Sequence, residues 1–289
     1  MEHEFDKISI SKLVLKLGVP AMLAQFFNIL YSIVDRAYVG HMETGGDIAL
    51  ASIGICAPLL TAITAFSSLV GIGGASVMSI SIGRKDDRSA RLAINNANIL
   101  LFCIAVIITV LSLIFAKSLL YALGCSDTMY SYASGYFKIY VIGTVAVLCG
   151  TGMNQFILAF GKAKRGMIAI MIGAIVNTIL DPIFIYAFDM GINGAAIATV
   201  IAQFCVLFYV LSFLFSDKAP IQLRFFPLDS RIVRQIFTIG SLPFLIMVFD
   251  NLLIVSLNFV LRKYGGELLG DQYISFVPDI CFFFASQHS

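Results

Sequence analysis

Residues 167–188, MIAIMIGAIVNTILDPIFIYAF, decide how this chain is read. As a helix the stretch would run about 33 Å, enough to cross the hydrocarbon of a bilayer. Its one charged residue is Asp181, with Pro182 directly after it and Asn177 four positions before. Asn177 and Asp181 therefore share a helix face. Pro182 lacks an N–H, which frees the Thr178 carbonyl and bends the helix beside the carboxylate. A carboxylate in the middle of a span costs about 2.5–3.5 kcal/mol on insertion scales, so it faces a cavity or a partner. Its flanks are apolar for a full turn on either side, which favours a working role over a structural one.

The rest of the chain has the same character. Of 289 residues, 59% are hydrophobic and 12% charged, and mean hydropathy is +0.93. Soluble domains carry about twice that share of charge. The fold class is an all-α polytopic membrane bundle, with the lipid bilayer as its first partner. A net charge of +2 gives no basic balance for nucleic acid. The N-terminus MEHEFDKISISK has no basic region leading straight into an apolar core, so no cleaved signal peptide is read. Six scattered cysteines, without a CxxC pair or a Cys/His cluster, read as small buried hydrophobes.

Seven spans are expected, at about 14–38, 48–80, 92–116, 132–158, 166–188, 192–215 and 234–261. An eighth candidate at 268–285 is interrupted by VPD. Basic residues follow the second span (Arg84, Lys85, Arg88, Arg91), the fourth (Lys162, Lys164, Arg165) and the sixth (Lys218, Arg224, Arg231, Arg234). With Lys7, Lys12 and Lys16, one side holds fourteen of the nineteen Lys and Arg residues. The positive-inside rule puts that side, and the N-terminus, in the cytoplasm.

With that topology Asp35, near the outer end of the first span, and Asp181 lie at similar depth. Asp35 has two readings: an interfacial helix end beside Arg36, or a pocket acid. Thr199 lies about one-third of the way down the sixth span, where Gly191, Gly194, Ala195, Ala196 and Ala198 permit close helix approach. Two carboxylates, an amide and a hydroxyl form an oxygen-donor set suited to Na⁺ or to a proton shared between the acids. Asp250, alone in the seventh span, reads as a second protonation site or a residue facing a cavity. The glycine-rich GIGGAS (71–76) lacks a following GK[ST] and reads as helix packing. No Ser/His/Asp set is arranged for nucleophilic chemistry, so no enzyme and no cofactor are expected.

PAMLAQFFNILYSIVD (20–35) aligns with PFLIMVFDNLLIVSLN (243–258) at an offset of 223. Pro20 meets Pro243, Asn28 meets Asn251 and Asp35 meets Asn258. The lag covers six spans, so the halves would be parallel repeats. The expected organisation is a six-helix lobe (1–216), a linker (217–233) and the start of a second lobe (234–289). Measured against such a repeat the chain stops early, as a fragment, a shifted frame or a decayed gene would.

These residues resemble the multidrug and toxic compound extrusion (MATE) transporters. The likeness is carried by Pro20 and Asp35 fifteen apart on the first span and by GRKD (83–86). It is carried most specifically by NQFILAFGKAKRGMIAIMIGAIVNTILDPIFIYAFDMGINGAAIATVIAQ (154–203). It covers about residues 10–265 and looks nearest the DinF-like branch, because the acids sit in the first half and Asn258 replaces an acid in the repeat. The resemblance implies twelve helices in two six-helix lobes. It implies a monomer in the plasma membrane that exports cationic or amphipathic small molecules in exchange for Na⁺ or H⁺. It also implies a cation site of Asp35, Asn177, Asp181 and Thr199, these four being the candidate Na⁺ ligands. Asn154 would be a further polar member, although its span position lies nearer the cytoplasm. Tyr31, one turn before Asp35, would line the same cavity, and Pro20 would bend the first span. A lipid-linked oligosaccharide flippase shares the two-lobe plan, but such proteins place bases in the central cavity, and these spans hold acids. A non-functional remnant is the other alternative.

Overall fold

The computed structural model describes residues 10–42, 45–224 and 227–256. The eighth candidate span, Asn258 and the end of the seventh span fall outside them. The described residues form helices α1 (Ile10–Gly40), α2 (Gly46–Gly83), α3 (Asp87–Ala122), α4 (Asp127–Ile142), α5 (Thr144–Ala159), α6 (Ala163–Pro182), α7 (Gly191–Phe215) and α8 (Ser230–Ser256). No strand occurs among them. Five helices (α2, α3, α6 with its extension, α7 and α8) are long and apolar enough to cross a membrane, and α4 with α5 makes a sixth. At 31 residues α1 is long enough as well, about 46 Å. The all-α membrane bundle read from composition is the fold observed.

Two spans differ from expectation. The fourth is not one helix: α4 and α5 meet at Gly143 with a bend of 52°. There the chain passes so close to α7 that a Cβ on Gly143 would sit 2.6 Å from Val200 Cγ2. The fifth leaves α-helical geometry after Pro182, and Ile183–Ala187 form a π-helical turn. Pro182 has no N–H to donate, and the wider turn closes on the Phe188 N–H, which donates to the Ile183 carbonyl at 3.0 Å. The second span, by contrast, runs unbroken through its glycines.

Those glycines explain why α2 is the central helix. A Cβ on Gly71 would lie 2.7 Å from Gly152 Cα, so α2 and α5 touch backbone to backbone. Beside this crossing Ser67 Oγ lies 2.6 Å from Thr151 Oγ1 and donates to the Leu148 carbonyl. Small residues and inter-helix hydrogen bonds replace the hydrophobic drive that water would supply. The most apolar stretch of α2 is 56% buried, against 22% for α3, whose Phe102, Ile107, Ile114 and Phe115 face outward as a lipid-facing surface should.

Around α2 the chain closes a lobe. Helix α1 packs chiefly against α6, α6 against α7, α7 against α4 and α5, and α5 against α2 and α3. Helix α8 lies on the outside of α2. A Cβ on Gly240 would run into the Leu69 carbonyl, Phe66 and Phe244 rings lie 5.1 Å apart, and Asn251 Nδ2 donates to the Pro58 carbonyl at 2.8 Å.

The basic turns gather on one face. Asn96 Nδ2, at the start of α3, donates to the Asp229 carbonyl ahead of α8. The Arg165 guanidinium, at the start of α6, lies 4.3 Å over the Phe213 ring near the end of α7. At the α2–α3 turn Asp86 caps α3, its Oδ1 accepting from the Ser89 N–H at 3.0 Å. Hydrogen bonds from the Ser89 side chain and backbone hold its carboxyl below the usual range.

Candidate cation site

Helix α6 supplies two of the polar groups. Asn177 and Asp181 lie one turn apart on its buried face, at 2% and 0% exposure. Asn177 Nδ2 donates to Asp181 Oδ1 at 3.1 Å and to Thr199 Oγ1 on α7 at 3.2 Å. Thr199 reaches the amide because α7 begins with small residues: a Cβ on Gly194 would lie 2.7 Å from the Phe184 carbonyl. The fourth group comes from α1. Asp35 is packed against α6 with its carboxyl within hydrogen-bonding reach of the Asp181 carboxyl. Helix α1 continues past Asp35 to Gly40, so Asp35 does not end it.

What distinguishes the cluster is its unsatisfied oxygens. Asp35 Oδ1, Asp181 Oδ2 and Asn177 Oδ1 are buried and accept no hydrogen bond from the protein. Buried acceptors are nearly always paired, because leaving one unpaired costs about 1–3 kcal/mol. Three on adjoining side chains make a pocket short of positive charge. Carboxylate and carbonyl oxygens are hard donors, of the kind that take up protons and hard cations. Two adjacent carboxylates out of water do not both stay ionised without such a partner. No group of three or more His, Cys, Asp or Glu residues is placed for a metal among the described residues.

Tyr31, one turn before Asp35, lies near both carboxyls. Asn154 is buried on α5, where its Nδ2 reaches the Gly166 carbonyl of α6 at 3.4 Å and its Oδ1 accepts no hydrogen bond from the protein. Pro20 lies fifteen residues before Asp35 on α1, about 22 Å along the axis. Asp250 is exposed on α8.

Two further buried groups of α4 lie within electrostatic range, Tyr136 of Asp35 and Tyr31, and Tyr140 of Tyr31. Their rings stack with centroids 6.4 Å apart. The signal was available as SYASGYFKIY (131–140), in which Tyr132, Tyr136 and Tyr140 recur every fourth residue and so share one helix face.

The outer wall is held by the π-helical turn. It carries Tyr186 to α1, where its hydroxyl donates to the Tyr38 carbonyl at 2.7 Å and the two rings meet edge to face. Tyr186→Phe keeps the ring and removes the bond. It should lower stability by about 1 kcal/mol, read as a small fall in unfolding temperature.

The family described as MatE matches residues 20–183. The multidrug export protein MepA of Staphylococcus saprophyticus is 27% identical over 277 residues, covering 95% of this chain and 61% of its own length. A solved MATE multidrug transporter, DinF-BH, superposes with a TM-score of 0.88 at 26% identity, over 95% of this chain and 61% of that one. A transporter of the MOP superfamily from Pyrococcus furiosus, for which a different function is suggested from the reverse polarity of its binding pocket, gives 0.81 at 26%, over 89% and 57%. The chain thus spans about three-fifths of the length of the relatives it matches. A matched profile over more than half the chain, running from Pro20 through Asp181, makes this protein a member of the MATE family.

Proposed function

We propose that this chain forms the ion-coupling lobe of a multidrug exporter. The exporter moves cationic or amphipathic small molecules outward in exchange for Na⁺ or H⁺, as a monomer in the plasma membrane with its N-terminus in the cytoplasm. The observation that carries the proposal is the set of three orphaned oxygens on Asp35, Asp181 and Asn177. Occupied by a cation, the pocket holds α1 against α6; empty, it leaves two carboxyls facing each other. Occupancy thus biases how α1 packs, and it drives transport only in so far as the ion prefers one packing over the other. No catalytic step is needed. The multidrug names of the relatives support the drug class. Asp181 is the only charged residue fully buried among the described residues, and the absence of a buried Lys or Arg there favours cationic cargo over the pyrophosphate of a lipid-linked oligosaccharide.

The test is efflux of a fluorescent organic cation from cells expressing the protein, with a Na⁺ gradient and a pH gradient imposed separately. Efflux driven by one gradient and abolished by its collapse is expected. Accumulation equal to that of vector-only cells under both gradients would refute the proposal.

A further inference from the structure

Away from the acids, a second polar cavity opens on the basic face. It has a volume of about 220 Å³ and is lined by Arg91 of α3 and by Ala219, Pro220, Ile221, Gln222 and Arg224 of the segment joining α7 to α8. That segment is fixed in place. Ala219, Ile221 and Leu223 are buried, and the Leu223 N–H donates to the Leu214 carbonyl at 3.0 Å.

One buried side chain ties the two arginines together. Asn95, 2% exposed, donates from Nδ2 to the Arg91 carbonyl at 2.6 Å. Its Oδ1 accepts from the Arg224 N–H at 2.8 Å. A single amide therefore ties both backbones together, and both arginines line the cavity. Arg224 Nη2 donates only to Gln222 Oε1, a neutral group, at 3.0 Å. The nearest acid on the segment, Asp217, is engaged by Gln222 Nε2 at 2.6 Å. Neither guanidinium is paired with a carboxylate among the described residues. Two arginines line one small polar cavity, and the planar fork of a guanidinium matches the oxygens of a phosphate.

The membrane depth of the cavity narrows the source. Phe208 and Phe215 are exposed along α7, and Phe215 is only four positions before Ala219. On α3, Phe102 and Ile107 face outward below Arg91. The cavity thus lies where these exposed apolar residues end, which the expected topology puts at headgroup level. We propose that Arg91 and Arg224 bind the phosphate of an anionic phospholipid in the cytoplasmic leaflet, pinning the α7–α8 segment to α3. The leaflet follows from the topology in the functional reading above; the binding itself does not require export activity.

The experiment is thermal unfolding of the purified 289-residue chain in detergent, followed with a thiol-reactive dye because the protein has no Trp. Phosphatidylglycerol, phosphatidylcholine and inorganic phosphate are titrated separately. Phosphatidylglycerol should raise the unfolding temperature saturably, and the other two should not. In Arg91→Gln/Arg224→Gln the apparent affinity for phosphatidylglycerol should fall about thirtyfold, the loss of two surface charges. Both side chains are exposed, and Asn95 holds the Arg224 backbone rather than its side chain, so the fold should persist. Native mass spectrometry of the wild type provides a readout free of variants: phosphatidylglycerol should be retained in preference to phosphatidylcholine. An equal phosphatidylglycerol shift in wild type and double variant, or no preference by mass, overturns the proposal. A shift of the same size from inorganic phosphate alone overturns the lipid source. Loss of the shift with efflux intact would leave the exporter reading untouched.

Discussion

Cells expressing the protein with Asp181→Asn are expected to accumulate a fluorescent cation as fully as cells lacking it, while the protein itself still reaches the membrane. The two halves of this result follow from the same geometry. Asn has the shape of Asp, so Asn177 Nδ2 keeps an acceptor at position 181 and the link to Thr199 on α7 survives. Stability should change little, and insertion becomes easier, because a buried carboxylate is removed from a span. What disappears is the pair of adjacent acids. One carboxylate at Asp35 no longer shares a proton or a cation with a second, and an ion that binds two packings of α1 equally well cannot shift the balance between them. Export should therefore fall to the vector-only level. Membrane abundance by immunoblot and efflux by fluorescence separate the two halves, and efflux at the wild-type rate would remove Asp181 from the mechanism.

The second large effect concerns the lobe itself. Gly71→Leu should lower stability by about 3 kcal/mol or more, leaving little folded protein in size-exclusion profiles. A Cβ at Gly71 meets the Cα and carbonyl of Gly152, which are backbone atoms that cannot swing aside. The remaining leucine atoms would push α2 off α5 and break the Ser67–Thr151 contact next to the crossing. Gly18 of α1 is the control, since nothing lies within 4 Å of a Cβ placed there. Gly18→Ala should stabilise the helix by about 0.5–1 kcal/mol through propensity alone. Equal behaviour of the two variants would mean that the α2–α5 crossing does not depend on small residues.

Much of the site was legible because helical periodicity is local. The four-residue spacing of Asn177 and Asp181 is enough to put them on one face, and the run of small residues before Thr199 is enough to bring α7 near. The tyrosines were legible too, at a spacing of four, but an aromatic stripe in a span reads first as packing. Asn154 shows where periodicity stops: its Nδ2 reaches the Gly166 carbonyl on the next helix, twelve positions on. A side chain's partners depend on which helix faces it, and a single helix's sequence does not record that. The same reason hid the clasp at Asn95, whose two partners lie 4 and 129 positions away.

By itself the sequence determined that the chain crosses a membrane several times, which loops carry the positive charge, and that acids lie inside its spans. These depend on composition and on periods of a few residues, and the cost of burying charge in lipid makes them strong signals. Only the tertiary structure decided that Asp35 of α1 meets Asp181 of α6. It also decided that the fourth span breaks at Gly143, and that Pro182 passes into a π-helical turn able to reach α1. Each of these rests on one helix packing against another, and packing is set by shape at contact distance between residues far apart in the chain.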